Sequence, residues 1–431
     1  MRTKKTLLAV ILCVAAAACS RDEAKQAKEK TEQAVQNAGQ KVSEALDDVA
    51  VPVGGQDDPQ AQEKERFDER WRGLETFQAQ GKAPAATPGP AQGPAEVKLN
   101  VTFVPRSGTK ESFKGVDAAG INNAPIAIPI EGDVAGPSVL KTQVYLDRLN
   151  FSVGALDGRW GRNSAIAIWW FQRSRGLPST GSVDEATFRA LASGAGAVEA
   201  VRQVTLTEED VKGPFVDIPD EVYDQAKLDC LCYESIKEKV AERYHVKQDF
   251  LEQLNPNVKF TQLKAGDTLW VPNVREPVTQ DRGDITRVVI SIAGNTFNGY
   301  DAQGNLVFHS PTTLGSKYDP SPRETLEIKK VTFDPWFHYQ PKLFHEVPDH
   351  EPEANLHPGP NSPVGIVWIA LSKPHYGIHG TTNPETIGYA SSHGCVRLTN
   401  WDAREIGHRV KPGVQVEFVD TRQKQQTASK E

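Results

Sequence analysis

Apolar residues change their spacing several times along this chain, and those changes decide where cores can form. Residues 21–50 alternate charge with alanine and carry only a thin seam, Val35, Ala38, Val42, Ala45 and Val49. Side chains that small over barely two heptads predict a solvated helix rather than a coiled coil. Residues 81–95, GKAPAATPGPAQGPA, cannot bury a core and read as an extended spacer. Helical spacing then holds over residues 138–192 and again after Cys230, and strand-like alternation takes over from residue 285. At about 100–200 residues per domain, 431 residues make two to four domains.

The start of the chain reads as an address. Arg2, Lys4 and Lys5 precede a continuous apolar run over residues 7–18, which ends Ala16-Ala17-Ala18-Cys19. Such a run is too short for a bilayer, which takes about 20 residues, and suits a secretory signal peptide. The small residues before Cys19 resemble a bacterial lipobox, with alanine where leucine is usual at the third position before the cysteine. That resemblance implies lipidation of Cys19. With Ser20 rather than aspartate next, it also implies a periplasmic protein anchored to the outer membrane. An ordinary signal peptide cut near Ala18 is the competing reading. The expected organisation is a signal peptide over 1–19, a charged and then Pro/Ala/Gly-rich spacer over 20–95, and an irregular segment over 96–137. A net charge of -7 argues against a general nucleic-acid binder.

Two modules follow. In residues 138–192, Pro137 is placed to start a helix, Asn163 or Ser164 to cap a second, and Asp184 to cap a third. The runs LDGRWG, FQRSRGL and GSVDEATFRAL resemble the three-helix peptidoglycan-binding domain, which implies wall binding. No histidine lies there, so the zinc site of some relatives is not expected. Deleting this module is expected to leave small-substrate turnover intact. After a linker over 193–229, residues 230–273 read as two helices and a strand. Leu263-Lys264-Ala265-Gly266-Asp267-Thr268-Leu269-Trp270-Val271-Pro272 resembles the closing strand of a LysM domain, so a small α+β LysM-like module is expected, either binding glycan or degenerate and packed against the next domain. Its opening strand is read at residues 230–235, where Cys230 and Cys232 form either a local disulfide or two buried thiols.

The alternating region, residues 285–420, reads as a mostly β domain ahead of a polar tail over 421–431. Strands are expected at residues 286–292, 305–308 and 414–419, and turn residues at Gly299-Tyr300-Asp301 and Ala302-Gln303-Gly304. A helix is expected at about residues 400–409. Nine of the ten histidines follow residue 300, which marks where the chemistry lies. At the centre, Ile378-His379-Gly380-Thr381 is followed by Ser392-His393-Gly394-Cys395-Val396-Arg397-Leu398. A thiol near two imidazoles and a guanidinium is expected to have a lowered pKa, because each cation favours thiolate. A histidine within reach takes the thiol proton and returns it to a leaving amine. Gly394 leaves backbone N–H groups uncovered for a developing oxyanion. Cys395, His379 and such a hole make an acyl-transfer site.

These residues closely match the signature of the YkuD-type L,D-transpeptidases, and the resemblance covers the whole domain. Asn361-Ser362-Pro363-Val364-Gly365 and Trp368-Ile369-Ala370-Leu371 resemble the segment before the family's catalytic histidine. Residues 402–410 and Gly413-Val414-Gln415-Val416 resemble its closing helix and strand. The resemblance implies a β-sandwich, with Cys395 as nucleophile and His379 as general base and proton shuttle. It implies that the Gly380 carbonyl orients His379, that His393, Gly394 and Cys395 frame the oxyanion hole, and that Arg397 stabilises the loop or a substrate carboxylate. Tyr376 and Trp368 are expected to line the groove. Ser321-Pro322-Arg323-Glu324-Thr325 departs from the family's Thr-Pro-x-Gly turn.

The expected function is a cysteine acyltransferase of the L,D-transpeptidase type that needs no cofactor. It would form a thioester with peptidoglycan tetrapeptide stems at meso-diaminopimelate and release D-alanine. The acyl group would pass to an amine, giving a 3→3 cross-link or an attached lipoprotein; with water as acceptor the same site is a carboxypeptidase or endopeptidase. Carbapenem acylation is implied as well. A non-catalytic lipoprotein tether to the wall is the alternative from another class. The expected partners are peptidoglycan, a membrane through the lipid anchor, and a lipoprotein acceptor, with no nucleic acid. Zinc held by His379, His393 and Cys395 is disfavoured, since the acyl-transfer reading accounts for each residue. His309, His338, His345, His350, His357 and His408 read as surface or packing residues, and the proline-rich stretch over 335–363 as a lid.

Overall fold

The computed structural model describes residues 101–106, 112–113, 115–344 and 347–419. The signal-like run with Cys19, the spacer, His345 and the tail from residue 420 lie outside them. Within 96–137, where an irregular segment is expected, the chain forms β1 (Phe103–Pro105), α1 (Ala118–Asn123) and β2 (Ile126–Ile128), with β1 and β2 paired in parallel.

Three helices follow: α2 (Pro137–Arg148), α3 (Arg162–Ser174) and α4 (Glu185–Ala195). Pro137 occupies the first turn of α2, where its missing N–H costs no helical bond. Asp184 caps α4 by accepting from the Thr187 N–H at 2.7 Å. The start of α3 differs from expectation. Its N-cap is Gly161, with no side-chain cap, because the Asn163 amide is used elsewhere: it donates to the Ile387 carbonyl at 3.0 Å.

The next unit corrects two boundaries. β3 (Val201–Thr205) precedes the short helices α5 (Glu208–Val211) and α6 (Val222–Gln225), then α7 (Ile236–Arg243), α8 (Gln248–Leu254) and β4 (Thr268–Pro272). β4 pairs antiparallel with β3, Val201 opposite Pro272 and Thr205 opposite Thr268. The residues read as a linker, 193–229, therefore contain the opening strand, and residues 230–235 are not that strand. Their backbone is committed to a different neighbour. Cys230 and Cys232 form a disulfide, and Leu231 between them donates to the Pro358 carbonyl at 3.1 Å and accepts from the Asn361 N–H at 2.9 Å.

The last domain is built on β5 (Arg287–Ser291), β6 (Thr296–Tyr300), β7 (Leu306–Pro311), β8 (Thr325–Phe333), β11 (Val367–Leu371), β12 (Gly377–His379), β13 (Val396–Arg397) and β14 (Gln415–Val419). They form one sheet in the order β13-β12-β11-β8-β14-β5-β6-β7. The expected sandwich is thus a single curled sheet. Beyond β7, Thr313 exchanges two backbone bonds with Arg397 of β13, at 3.0 and 2.9 Å, so the chain leaving one outer strand bridges to the other. Gly299 and Tyr300 lie inside β6 rather than in a turn. The turn is Asp301 to Gly304, where the Asp301 carboxylate accepts from the Gln303 and Asn305 N–H groups at 2.9 and 2.8 Å. Between β8 and β11 the proline-rich stretch carries a hairpin of β9 (Phe337–Tyr339) and β10 (Ala354–Leu356), anchored by Leu231 packing against Tyr339 and Leu356. The helix α9 (Asn400–Arg409), capped by the Thr399 hydroxyl, packs on the sheet.

The modules are not separable beads. One apolar core runs from the α2–α4 helices through the β3–β4 unit to Val289 and Tyr300 of the curled sheet. Ser152 and His309 join the helical unit to β7 through backbone bonds: the Ser152 N–H donates to the His309 carbonyl and the His309 N–H to Asn150, both at 2.8 Å. His309 is fully buried under Phe151 and Trp170, and burial pushes its imidazole down to about 3. The helical unit thus shares its core with the domain expected to keep its small-substrate turnover without it. Excising residues 135–191 should expose this core and lower the melting temperature of the remaining chain by at least about 10 °C. Calorimetry of the shortened chain checks this, and an unchanged transition would contradict it.

Candidate active site

The site lies where β12 and β13 run side by side in parallel, with His379 opposite Arg397. β12 ends at His379, and Cys395 sits directly before β13, so neighbouring strands deliver both residues to one groove of about 800 Å³. Trp336, Trp368, Tyr376 and Phe344 line the same groove, together with His393 and Arg397.

His379 is buried, and its Nδ1 lies 2.7 Å from the Gly380 carbonyl. A carbonyl only accepts, so Nδ1 carries the proton and Nε2 keeps its lone pair. The ring stacks on Trp368, its cross-strand partner on β11, with centroids 5.5 Å apart. Burial, and then the Arg397 charge, push the imidazole down to about 3, against the pull of the Gly380 bond. Cys395 is half-buried and is the only free thiol among the described residues. Its Sγ–H donates to the His375 carbonyl at 3.6 Å. Burial raises its pKa, and the Gly377 backbone and Arg397 only partly offset that. This corrects the expectation of a lowered thiol pKa. The same burial that raises the thiol keeps His379 neutral, so the expected imidazolium charge of His379 is missing and the Gly377 backbone and Arg397 are left to favour thiolate.

The loop before Cys395 is held by two hydroxyls. Ser392 donates to the Cys395 carbonyl at 2.6 Å, and Ser321 donates to the Gly394 carbonyl at 3.0 Å while accepting from the Gly315 N–H at 2.8 Å. A trans peptide points its N–H opposite to its C=O, so pinning the Gly394 carbonyl aims the Cys395 N–H the other way. The N–H groups of Gly394 and Cys395 donate to none of the described residues. Gly394 has φ +100°, and a Cβ there would sit 3.0 Å from the Tyr376 ring, so only glycine suits the position. His393 packs its ring edge-on against Phe344, 5.0 Å between centroids, and belongs to the groove wall. Arg397 is half-buried with its Nε unpaired, which leaves a cation in the groove for an anionic group.

Sequence reasoning missed Ser321, Asn400 and Glu242. The signal for Ser321 was present: the turn that departs from the family pattern keeps a hydroxyl residue before proline. Asn400 and Glu242 meet only through the fold, 2.9 Å apart across 158 residues of chain. Among the described residues, no three His, Cys, Asp or Glu side chains converge as a metal-ion set.

Acyl transfer through a cysteine is the class of chemistry this geometry supports. The family model described as the YkuD L,D-transpeptidase catalytic domain matches residues 285–418, and that of a candidate peptidoglycan binding domain matches residues 135–191. The candidate L,D-transpeptidase YkuD of Bacillus licheniformis is 31% identical over 179 residues, covering 42% of this chain and 90% of its own. Its namesake in Bacillus subtilis is 28% identical over 178 residues, with coverage of 41% and 89%. The candidate L,D-transpeptidase YbiS of Escherichia coli K12 is 29% identical over 187 residues, with coverage of 42% and 60%. The chain belongs to the YkuD-type L,D-transpeptidase family, carries a peptidoglycan-binding domain, and has a transpeptidase role in peptidoglycan.

Proposed function

We propose that Cys395 is the nucleophile and His379 the general base of an L,D-transpeptidase acting on peptidoglycan tetrapeptide stems. The observation that carries this reading is the tautomer of His379: with Nδ1 bound to Gly380, Nε2 is left as an acceptor beside the groove that holds Cys395. His379 takes the thiol proton as sulfur attacks the meso-diaminopimelate carbonyl. The N–H groups of Gly394 and Cys395 receive the oxyanion. The proton then passes to the D-alanine amine as the C–N bond breaks, leaving a thioester. An acceptor amine, deprotonated by the same imidazole, resolves it, and Arg397 binds a carboxylate of the stem. Phe337, His338 and Tyr339 of β9 line the groove, where they limit the access of water. Incubating the full chain with disaccharide-tetrapeptide and separating the products by mass spectrometry should show free D-alanine and a 3→3 dimer. Stems left intact by folded protein would overturn the reading.

The β3–β4 unit acts as a LysM-like glycan-binding module: the pairing of β3 with β4 around α7 and α8, with Leu269 and Val271 buried, supports this, while α5 and α6 lie in the insertion before α7. The protein is exported to the periplasm and tethered to the outer membrane through Cys19, as the small residues before that cysteine support. Cys19→Ala should then move the protein from the membrane fraction to the soluble fraction. Equal fractionation of both forms would count against the anchor.

A further inference from the structure

One peptide plane beside the site is held at both ends. The Gly380 carbonyl receives His379 Nδ1 at 2.7 Å, and the other end of that peptide unit, the Thr381 N–H, donates to Asn400 Oδ1 at 3.2 Å. Because the unit is planar, whatever fixes its N–H also aims its C=O. Asn400 is buried at the start of α9, and its Oδ1 accepts from the Ile366 N–H as well, at 3.4 Å. The fit is close: a Cβ on Gly380 would come within 2.1 Å of Asn400 Oδ1, and one on Gly365 within 2.0 Å. Asn400 works as such a clamp only if its oxygen, not its nitrogen, faces the Thr381 N–H.

Part of what fixes that orientation lies outside the catalytic domain. Asn400 Nδ2 donates to Glu242 Oε1 at 2.9 Å and Oε2 at 3.2 Å, and to the Pro360 carbonyl at 3.1 Å. Glu242 sits on α7, in the β3–β4 unit, and accepts from the Tyr233 hydroxyl at 3.4 Å. The Pro360 carbonyl can only accept, and a glutamate keeps one acceptor oxygen toward Nδ2 whether or not the other oxygen carries a proton, so a reversed amide would set oxygen against oxygen. Burial raises the Glu242 carboxyl to about 8, and the Asn400 bond is the chief influence pulling it back toward the ionised form.

We propose that Glu242 is a positioning residue for His379: it sets the Asn400 amide, which holds the Gly380–Thr381 peptide plane and so keeps the histidine's proton on Nδ1. This rests on the reading of His379 as the base. It makes the module before the catalytic domain part of the device that readies the active site, beyond any part in wall binding.

The test uses the full chain with Glu242→Ala, Glu242→Gln, Asn400→Asp and the exchanged pair Glu242→Gln/Asn400→Asp. Two readouts are taken: the carbapenem acylation rate at saturation against its half-saturating concentration, and the His379 tautomer by nitrogen NMR on histidine-labelled protein. Glu242→Ala should lower the saturating rate about five- to a hundredfold, the effect of a buried amide N–H left without its partner, and leave half-saturation unchanged. Glu242→Gln should lose far less, because its amide still offers one acceptor. Asn400→Asp sets two carboxyls face to face and should be impaired, and the exchanged pair should recover, since a glutamine N–H then donates to the new carboxylate. An Nδ1–H tautomer lost in folded Glu242→Ala and regained in the exchanged pair would not follow from a merely structural role. Wild-type rates and an unchanged Nδ1–H tautomer in folded Glu242→Ala, or an exchanged pair no better than Asn400→Asp, would overturn the proposal. If the wild type itself is not acylated, the catalytic reading fails, and the tautomer measurement still decides the positioning claim on its own.

Discussion

Replacing Cys395 by alanine is expected to abolish both D-alanine release and carbapenem labelling. No other free thiol is present among the described residues, and no other side chain in the groove has both its place beside β13 and its nucleophilicity. His379→Ala should fold and acylate about 10²–10⁴-fold more slowly, the usual range for loss of a general base. His393→Ala should cost much less, because that ring packs against Phe344 rather than receiving the thiol proton. The pH dependence separates this account from one with an ordinary cysteine–imidazolium pair. Burial pushes His379 down to about 3 and raises Cys395, so the resting pair is a neutral thiol and a neutral imidazole throughout the neutral range. Lowering the pH from about 7 to about 5 therefore protonates neither group, and the saturating acylation rate should stay level over that range. Intact mass followed against time measures all of these. A His393→Ala variant that is dead beside a normally labelled His379→Ala would show that the wrong imidazole is named. A tenfold fall between about pH 7 and 5 would show an imidazole titrating near its ordinary value.

Arg275→Met should destabilise the chain by about 3–5 kcal/mol, the cost of leaving buried charges without their partner. Arg275 links three parts of the fold. One guanidinium nitrogen is 2.6 Å from Asp147 on α2, and another is 2.6 Å from Asp402 on α9. His245 Nδ1 lies 2.8 Å from Asp147, and Ser152 and Ser310 donate to Asp402 at 2.7 and 2.9 Å. Asp147 and Asp402 are fully buried, so without Arg275 neither carboxylate has water to turn to. Burial alone would raise Asp147, but Arg275 and then His245 outweigh it and hold that carboxyl at about 2. A carboxyl depressed on folding stabilises above its ordinary pKa and loses that contribution as the pH falls through its folded value. The deficit of the variant should thus be full at neutral pH and shrink between about pH 4 and 2. Urea unfolding at several pH values checks both statements, and a deficit under about 1 kcal/mol at pH 7 would contradict them.

What could be read from the sequence was whatever lies close together along it. His379 and the Ser392–Arg397 run sit sixteen residues apart at the catalytic pair, and the same neighbouring strands carry them in the fold. α8 ends at Leu254 because Asn255-Pro256 stops it locally, and β14 falls within the expected residues 414–419 because it follows its own alternation. β3 was hidden: five residues with Val201 and Val204 as its only apolar members, joined to β4 across the long insertion that holds the disulfide. The protonation state of the thiol was misjudged for a similar reason. Charges can be counted along a sequence, whereas the burial that outweighs them exists only after the sheet has curled. Arg275 with Asp147 and Asp402, and Glu242 with Asn400, are pairs of unremarked polar residues whose meaning lies in the docking of modules that looked independent.

The most direct measurement is peptide mapping of the covalent intermediate. Full-length wild-type chain is mixed with disaccharide-tetrapeptide, quenched in acid within the first turnover, and digested for mass spectrometry. The account predicts a thioester on the peptide containing Cys395, with the mass of the stem less D-alanine. Folded protein that carries no adduct, or an adduct on any other residue, would contradict it.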